Sequence, residues 1–221
     1  MAAMSLLKKE PVAILLAAGE GSRLGEDKMV LDLGGRQMIE RALRPLRKSG
    51  SVADVLIVVP PGRSRDFDHL RSPHRHIVEN PDPGRGMISS IRAGLESGWA
   101  QERDFLIQPG DVPFVKPAVV DQLVRTARVR DCKIVIPTYR GMGGHPGLFD
   151  HSVAQDFFLH GDQNGAREIL FRHKQETVRM AVADPDICFD VDTPEDYEMA
   201  MDAGARWARV ERQVEERRRI R

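Results

Sequence analysis

The sequence predicts an α/β fold built on a mostly parallel sheet with helices on both faces. Three observations lead there. Short apolar runs of strand length alternate with stretches of helical periodicity along most of the chain. The first run, Val12–Leu16, is continuous rather than alternating, which marks a strand buried on both faces. The longest apolar run, Val12–Ala18, is far short of the ~18 residues that a membrane-spanning helix needs.

The elements follow in order. After the first strand comes a glycine-rich turn, then a helix over Gln37–Ser49 with Met38, Ile39, Ala42, Leu43 and Leu46 on one face. Pro45 is expected to bend or interrupt it, because proline lacks the N–H that an inner helical position donates. Val55–Val59 reads as the second strand, stopped by Pro60-Pro61-Gly62, and His76–Glu79 as a short third. The polar segment Arg63–Arg75 between them reads as a surface loop. Met87–Ser97 is helical by the spacing of Ile88, Ile91 and Leu95. Asp104–Gln108 is a strand, Ala118–Arg130 a helix and Lys133–Pro137 a strand. Gln155–Phe158 and Gly165–Arg172 read as helical and Val178–Val182 as a late strand. After the apolar run Ile187–Val191, Thr193–Val214 reads as a closing helix. Right-handed crossovers would make such a sheet parallel.

Composition excludes several function classes. Among 221 residues, 33 basic side chains balance 33 acidic ones, so neither nucleic acid nor an anionic membrane surface is an expected partner. With 41% hydrophobic residues the chain can bury a core, and one domain spanning 1–221 is expected, with an N-terminal extension over 1–10. That extension carries no export signature. Two cysteines far apart, Cys132 and Cys188, fit a reducing cytoplasm rather than a disulfide scaffold. The charged end, 206–221, reads as the fraying end of the last helix, its Trp207, Val210 and Val214 sharing a face with Ala203.

The chemistry concentrates after the first strand. Leu16-Ala17-Ala18-Gly19-Glu20-Gly21-Ser22-Arg23-Leu24-Gly25 is followed by Lys28. Ligands of parallel sheets collect at the carboxyl ends of strands. Glycines there let backbone N–H groups approach an anion, and Arg23 and Lys28 add positive charge. A polyphosphate fits such a loop. The P-loop pattern is absent, and Gly19, Gly21 and Gly25 do not have dinucleotide spacing. Asp111 follows a strand and a Pro109-Gly110 turn, where its carboxylate would suit a hard cation such as Mg²⁺. Asp192 is a second candidate ligand. Its place before Thr193-Pro194-Glu195-Asp196 equally suits a helix cap, with Asp190 as the alternative ligand. Ser89 and Ser90 either cap their helix or read the edge of a base. Phe157, Phe158 and Phe171 are expected to pack internally rather than to stack on a ligand.

Leu16–Lys28 resembles the signature of the MobA-like nucleotidyltransferases, and of their molybdenum cofactor cytidylyltransferase (MocA) branch most of all. The resemblance continues in order through Asn80-Pro81, Gly86–Leu95, Gln108–Pro113, Gly144-His145-Pro146, Gly161–Arg167 with Asn164 as an extra residue, and Asp190–Asp196. It implies a Rossmann-like fold of the nucleotide-diphospho-sugar transferase kind and a Mg²⁺-dependent transfer of a nucleotidyl group from an NTP to a phosphorylated acceptor. Ala18 implies CTP rather than GTP, and molybdopterin is the implied acceptor, with a molybdoenzyme as the possible client. The implied roles are Arg23 and Lys28 in catalysis, and Leu16, Ala17, Ala18, Gly19, Gly21, Asn80 and Ser90 for the nucleotide. His145 and Arg167 would serve the acceptor, and Asp111 with Asp192 the metal. The alternatives are a methylerythritol phosphate or sugar phosphate cytidylyltransferase, a GTP-using guanylyltransferase, and a non-catalytic cofactor-delivery protein. For the first of these, the proline and glutamine expected around the lysine are missing at Asp27-Lys28-Met29.

Overall fold

The computed structural model describes residues 9–19, 27–160 and 165–204. Strand β1 (Val12–Leu16) lies at the centre of one mixed sheet, parallel to both β2 (Asp54–Val59) and β4 (Phe105–Pro109). Strand β3 (Arg75–Glu79) extends the sheet beyond β2, also in parallel. Beyond β4 the order departs from a purely parallel reading. The short β7 (Gly147–Phe149) lies antiparallel between β4 and β5 (Ile134–Tyr139). Strand β6 (Met142–Gly143) forms a hairpin with β5, and β8 (Thr177–Ala181) pairs with β5 in parallel. A three-residue strand is too short to show a period, so β7 left no pattern in the sequence.

The continuous apolar run of β1 is explained by the two cores it serves. Ala13, Leu15 and Ala17 face one layer, which includes α1 (Met38–Lys48) and α3 (Pro117–Val129). Val12, Ile14 and Leu16 face the other, beneath α2 (Met87–Glu96), α4 (Ala154–His160) and α5 (Ala166–Arg172). There Phe105, Phe149 and Phe157 pack with ring centroids 5.4–5.8 Å apart. Helix α2 lies so close to β1 that a Cβ at Gly94 would stand 2.8 Å from Ile14 Cγ2.

Three expectations are corrected. Pro45 lies inside α1 without ending it, because Met38, Ile39, Ala42, Leu43 and Leu46 anchor the helix in the core on both sides of the missing N–H. The segment after Arg63 is not an open loop: Ser64–Leu70 forms a 3₁₀ turn that buries Phe67 and Leu70. The run Ile187–Val191 begins in a 3₁₀ turn over Pro185–Cys188 that leads into extended chain. Phe171 is 74% exposed, since α5 buries Ile169 and a residue two places on points to the opposite side. The last helix, α6, runs over 194–204 within the described residues and docks through Arg41, whose guanidinium donates to Leu33 O and Gly204 O. Trp207, Val210 and Val214 lie outside the described residues. Among the described residues, no helix is long and apolar enough to cross a membrane.

His173, just after α5, is clamped between Asp156 (2.6 Å) and Glu176 (2.8 Å). Burial opposes its charge, but the two carboxylates outweigh burial and hold the imidazole above its ordinary 6.5.

Two outcomes follow from this packing. Gly94→Ala is expected to cost about 1–3 kcal/mol in urea denaturation, as overpacking against a rigid β-branched neighbour does. The stabilisation that His173 provides over His173→Gln should be complete below the ordinary imidazole value. It should fade as pH rises through the raised folded value, because a group that holds its proton more tightly when folded stabilises only while protonated. Melting curves of both proteins across that range check it; a difference that grows with pH would refute the clamp.

Candidate functional site

The carboxyl ends of β1 and β4 lie side by side, with Leu16 opposite Pro109. Ala17 N–H ends the β1 ladder by donating to Val58 O, and Ala18 and Gly19 follow outside the sheet. Gly21 and Arg23 lie outside the described residues. The chain is described again at Asp27, whose carboxylate accepts from Met29 N–H and caps the 3₁₀ turn Lys28–Val30. Arg63 reaches across to the same carboxylate at 2.6 Å. Met29 is buried and anchors the turn from below. A Cβ at Gly110 would stand 2.6 Å from Met29 Sδ and 2.8 Å from Leu16 O, so only glycine lets the β4 turn close over this anchor. With Met29 turned in, its neighbour Lys28 turns toward the sheet edge.

There Lys28 meets the two carboxylates that the sequence had put 81 residues apart. Its Nζ donates to Asp111 Oδ2 at 2.8 Å, to Asp192 Oδ1 at 2.7 Å and to Val191 O at 3.2 Å. Burial would lower the Lys28 pKa, but Asp111 and Asp192 overcome it and leave the ammonium above its ordinary value. The two loops are tied by a backbone bond as well, from Val191 N–H to Asp111 O at 2.9 Å. The capping duty that competed for Asp192 belongs to its neighbours. Thr193 Oγ1 accepts from Asp196 N–H, and Asp196 Oδ2 accepts from Thr193 N–H and from Asp192 N–H. The Asp192 carboxylate is thereby left to face Lys28. Asp190 is exposed, and no bond joins it to this cluster among the described interactions.

The set of donor atoms is all oxygen, converging on a positive charge. That chemistry fits a hard divalent cation held by Asp111 and Asp192. A second acidic group, formed by Asp104, Asp150 and His151, lies at the opposite edge, before β4 begins, and there His151 N–H donates to Asp104 Oδ1, tying the segment after β7 to the start of β4.

Asn80 and Ser90 are brought together with Ser89. Asn80 is 1% exposed, and its amide donates to Ser89 Oγ at 2.8 Å and Ser90 Oγ at 3.0 Å. Its own carbonyl accepts from Asp82 N–H. Asn80 therefore orients the serines rather than reaching outward. Ser89 also donates to Gly86 O, at the start of α2. His145 stands on the β6–β7 connection, its N–H bonded to Ile187 O. Burial pushes its imidazole below the ordinary value, and the charges of Asp111 and Asp190 only partly oppose this. Arg167 is exposed on the first turn of α5.

Two supporting residues escaped the sequence reading. Gln108 is fully buried, and its amide donates to Pro109 O and Val112 O, bracketing the turn that carries Asp111. Its Oε1 has no partner among the described residues, an arrangement a folded chain tolerates rarely. Asp27, paired with Arg63, is the other. A polar residue in a fully apolar strand was the signal available for Gln108; nothing in sequence links Asp27 to Arg63.

Gln108→Leu should lose about 1–3 kcal/mol in urea denaturation, because two buried carbonyls lose their donor. Gln108→Glu should lose more, since it buries a charge there. Equal stability of all three proteins would remove Gln108 from the support of Asp111.

Known proteins resemble this chain in sequence and in fold. The 2-C-methyl-D-erythritol 4-phosphate cytidylyltransferase of Rhodococcus opacus is 40% identical over 120 residues, 53% of this chain and 51% of that protein. A probable molybdenum cofactor guanylyltransferase of Natranaerobius thermophilus is 27% identical over 130 residues, 58% of this chain and 60% of that protein. The chain thus spans between about half and three-fifths of these two relatives, and only about a quarter of a similar bifunctional protein GlmU. The structure of Rv0371C from Mycobacterium tuberculosis in complex with manganese superposes with a TM-score of 0.71 at 21% identity, over 88% of this chain and 99% of that one. The model of the MobA-like NTP transferase domain matches residues 13–178. The chain belongs to the MobA-like NTP transferase family.

Proposed function

We propose that this chain, acting as one unit, transfers CMP from CTP to the phosphate of molybdopterin with the help of Mg²⁺ and releases pyrophosphate. The observation that carries the reading is the meeting of Lys28, Asp111 and Asp192 at the edge of β1 and β4. An oxygen of the acceptor phosphate would attack the α-phosphorus of CTP. The bond from that phosphorus to the β-phosphate oxygen would break, and pyrophosphate would leave with the electron pair. The difficulty is repulsion between two anions and charge gathering on the leaving group. A divalent cation held by Asp111 and Asp192 would supply charge neutralisation there.

The chain's own residues do the rest. Lys28 and Arg23 neutralise the polyphosphate. Backbone N–H groups at Ala18, Gly19 and Gly21 take its oxygens. Ser90, oriented by Asn80, offers its hydroxyl to the pyrimidine edge. His145, held neutral by burial, exchanges a hydrogen bond with the acceptor, and Arg167 takes the acceptor phosphate. Cys132 and Cys188 are free thiols, which suits a reducing cytoplasm. A second reading, cytidylyl transfer to methylerythritol phosphate, is favoured by the similarity to that cytidylyltransferase. It is opposed by Asp27 and Met29, which stand where that reading expects proline and glutamine.

Pyrophosphate release with each of the four NTPs, Mg²⁺ and either molybdopterin or methylerythritol phosphate tests both. Release is expected with CTP and molybdopterin, and Asp111→Asn should lower it about a hundredfold or more, the scale of losing a principal electrostatic stabiliser. Release only with methylerythritol phosphate would install the second reading. Release with neither acceptor would sink both.

A further inference from the structure

The contacts of Lys28 reach further than charge neutralisation. Three oxygens from two loops converge on its Nζ, at 2.7 Å, 2.8 Å and 3.2 Å. The Lys28 side chain is only 14% exposed, so the ammonium sits inside this cluster rather than over it. The bond from Val191 N–H to Asp111 O holds the two loops together independently of the lysine. The oxygens therefore stay gathered when the side chain leaves. A divalent cation would need the same lone pairs at closer range, about 2.0–2.1 Å for Mg²⁺. Two positive centres cannot share them. Lysine carries its charge on a flexible four-carbon stem, so it can swing to another anion while its backbone stays pinned by Asp27 and Met29.

We infer that Lys28 is a built-in stand-in for the divalent cation, occupying the Asp111–Asp192 oxygens until a metal displaces it toward the polyphosphate. This rests on the metal-dependent reading above. It adds an order of events: metal alone must evict the lysine, whereas a metal–nucleotide complex offers the lysine new oxygens as it takes the old ones. The free protein should bind divalent cations weakly, because apparent affinity falls by the fraction of molecules whose site is open.

The test is Mn²⁺ titration without nucleotide, following the resonance of free Mn²⁺. Lys28→Met should bind Mn²⁺ about tenfold or more tightly than wild type, as expected if the lysine closes about nine sites in ten. The double variant Lys28→Met/Asp111→Asn should lose that gain. A second measurement needs no variant. Lysine-directed labelling of wild type, read by mass spectrometry, should show Lys28 more reactive in saturating Mg²⁺ than in its absence, with Lys116 unchanged. Equal or weaker Mn²⁺ binding by a folded Lys28→Met, or no rise in Lys28 labelling under Mg²⁺, overturns the stand-in while leaving metal-dependent transfer intact. Absence of Mn²⁺ binding in every protein, with CTP or without, overturns the metal reading itself. If Lys28→Met does not fold, the labelling result decides alone.

Discussion

The ion cluster of Lys28, Asp111 and Asp192 is the constraint around which the rest of the site is arranged. Two carboxylates held a few ångströms apart repel each other, and a partly buried ammonium loses hydration. Each offsets the cost of the other. The surrounding structure serves that balance. Asp27 and Met29 set the turn of Lys28. Gly110 and Gln108 shape the turn of Asp111. Thr193 and Asp196 take over the start of α6, so that Asp192 is not consumed as a cap.

The remaining elements supply a rigid platform for this edge. β1 is buried by side chains on both faces and hydrogen-bonded on both sides, so its carboxyl end cannot drift. The Asn80–Ser89–Ser90 cluster fixes the opening of α2 from beneath. On the other flank, the antiparallel β7 carries the connection that places His145 within electrostatic range of Asp111. The parts around this edge thus each have a separate structural anchor.

Much of this was legible in the amino-acid order, for identifiable reasons. Strands buried on both faces leave continuous apolar runs, and amphipathic helices leave a 3.6 period, so β1, β2, β4, α2 and α3 were placed to within a residue or two. Lys28, Asp111 and Asp192 were named from glycine and proline punctuation and from ordered motifs. Short-range pattern did not carry the rest. The antiparallel insertion of β7 depends on three residues. The passage of α1 through Pro45 depends on packing from two sides. The direct contact of Lys28 with both carboxylates, and the pairing of Asp27 with Arg63, join segments that only tertiary folding brings together. The loop holding Gly21 and Arg23 lies outside the described residues, so those roles stand on the motif.

The two ends of the Lys28–Asp192 pair are separated by 164 positions. A chain emerging from a ribosome therefore carries its lysine and its first acidic partner long before the second arrives. All the strands of the sheet precede Asp192 in the chain, so the charge triad can be complete only after they have been made. A product that stops before Asp192 would carry Lys28 and Asp111 as a simple ion pair, without the second carboxylate that completes the cluster.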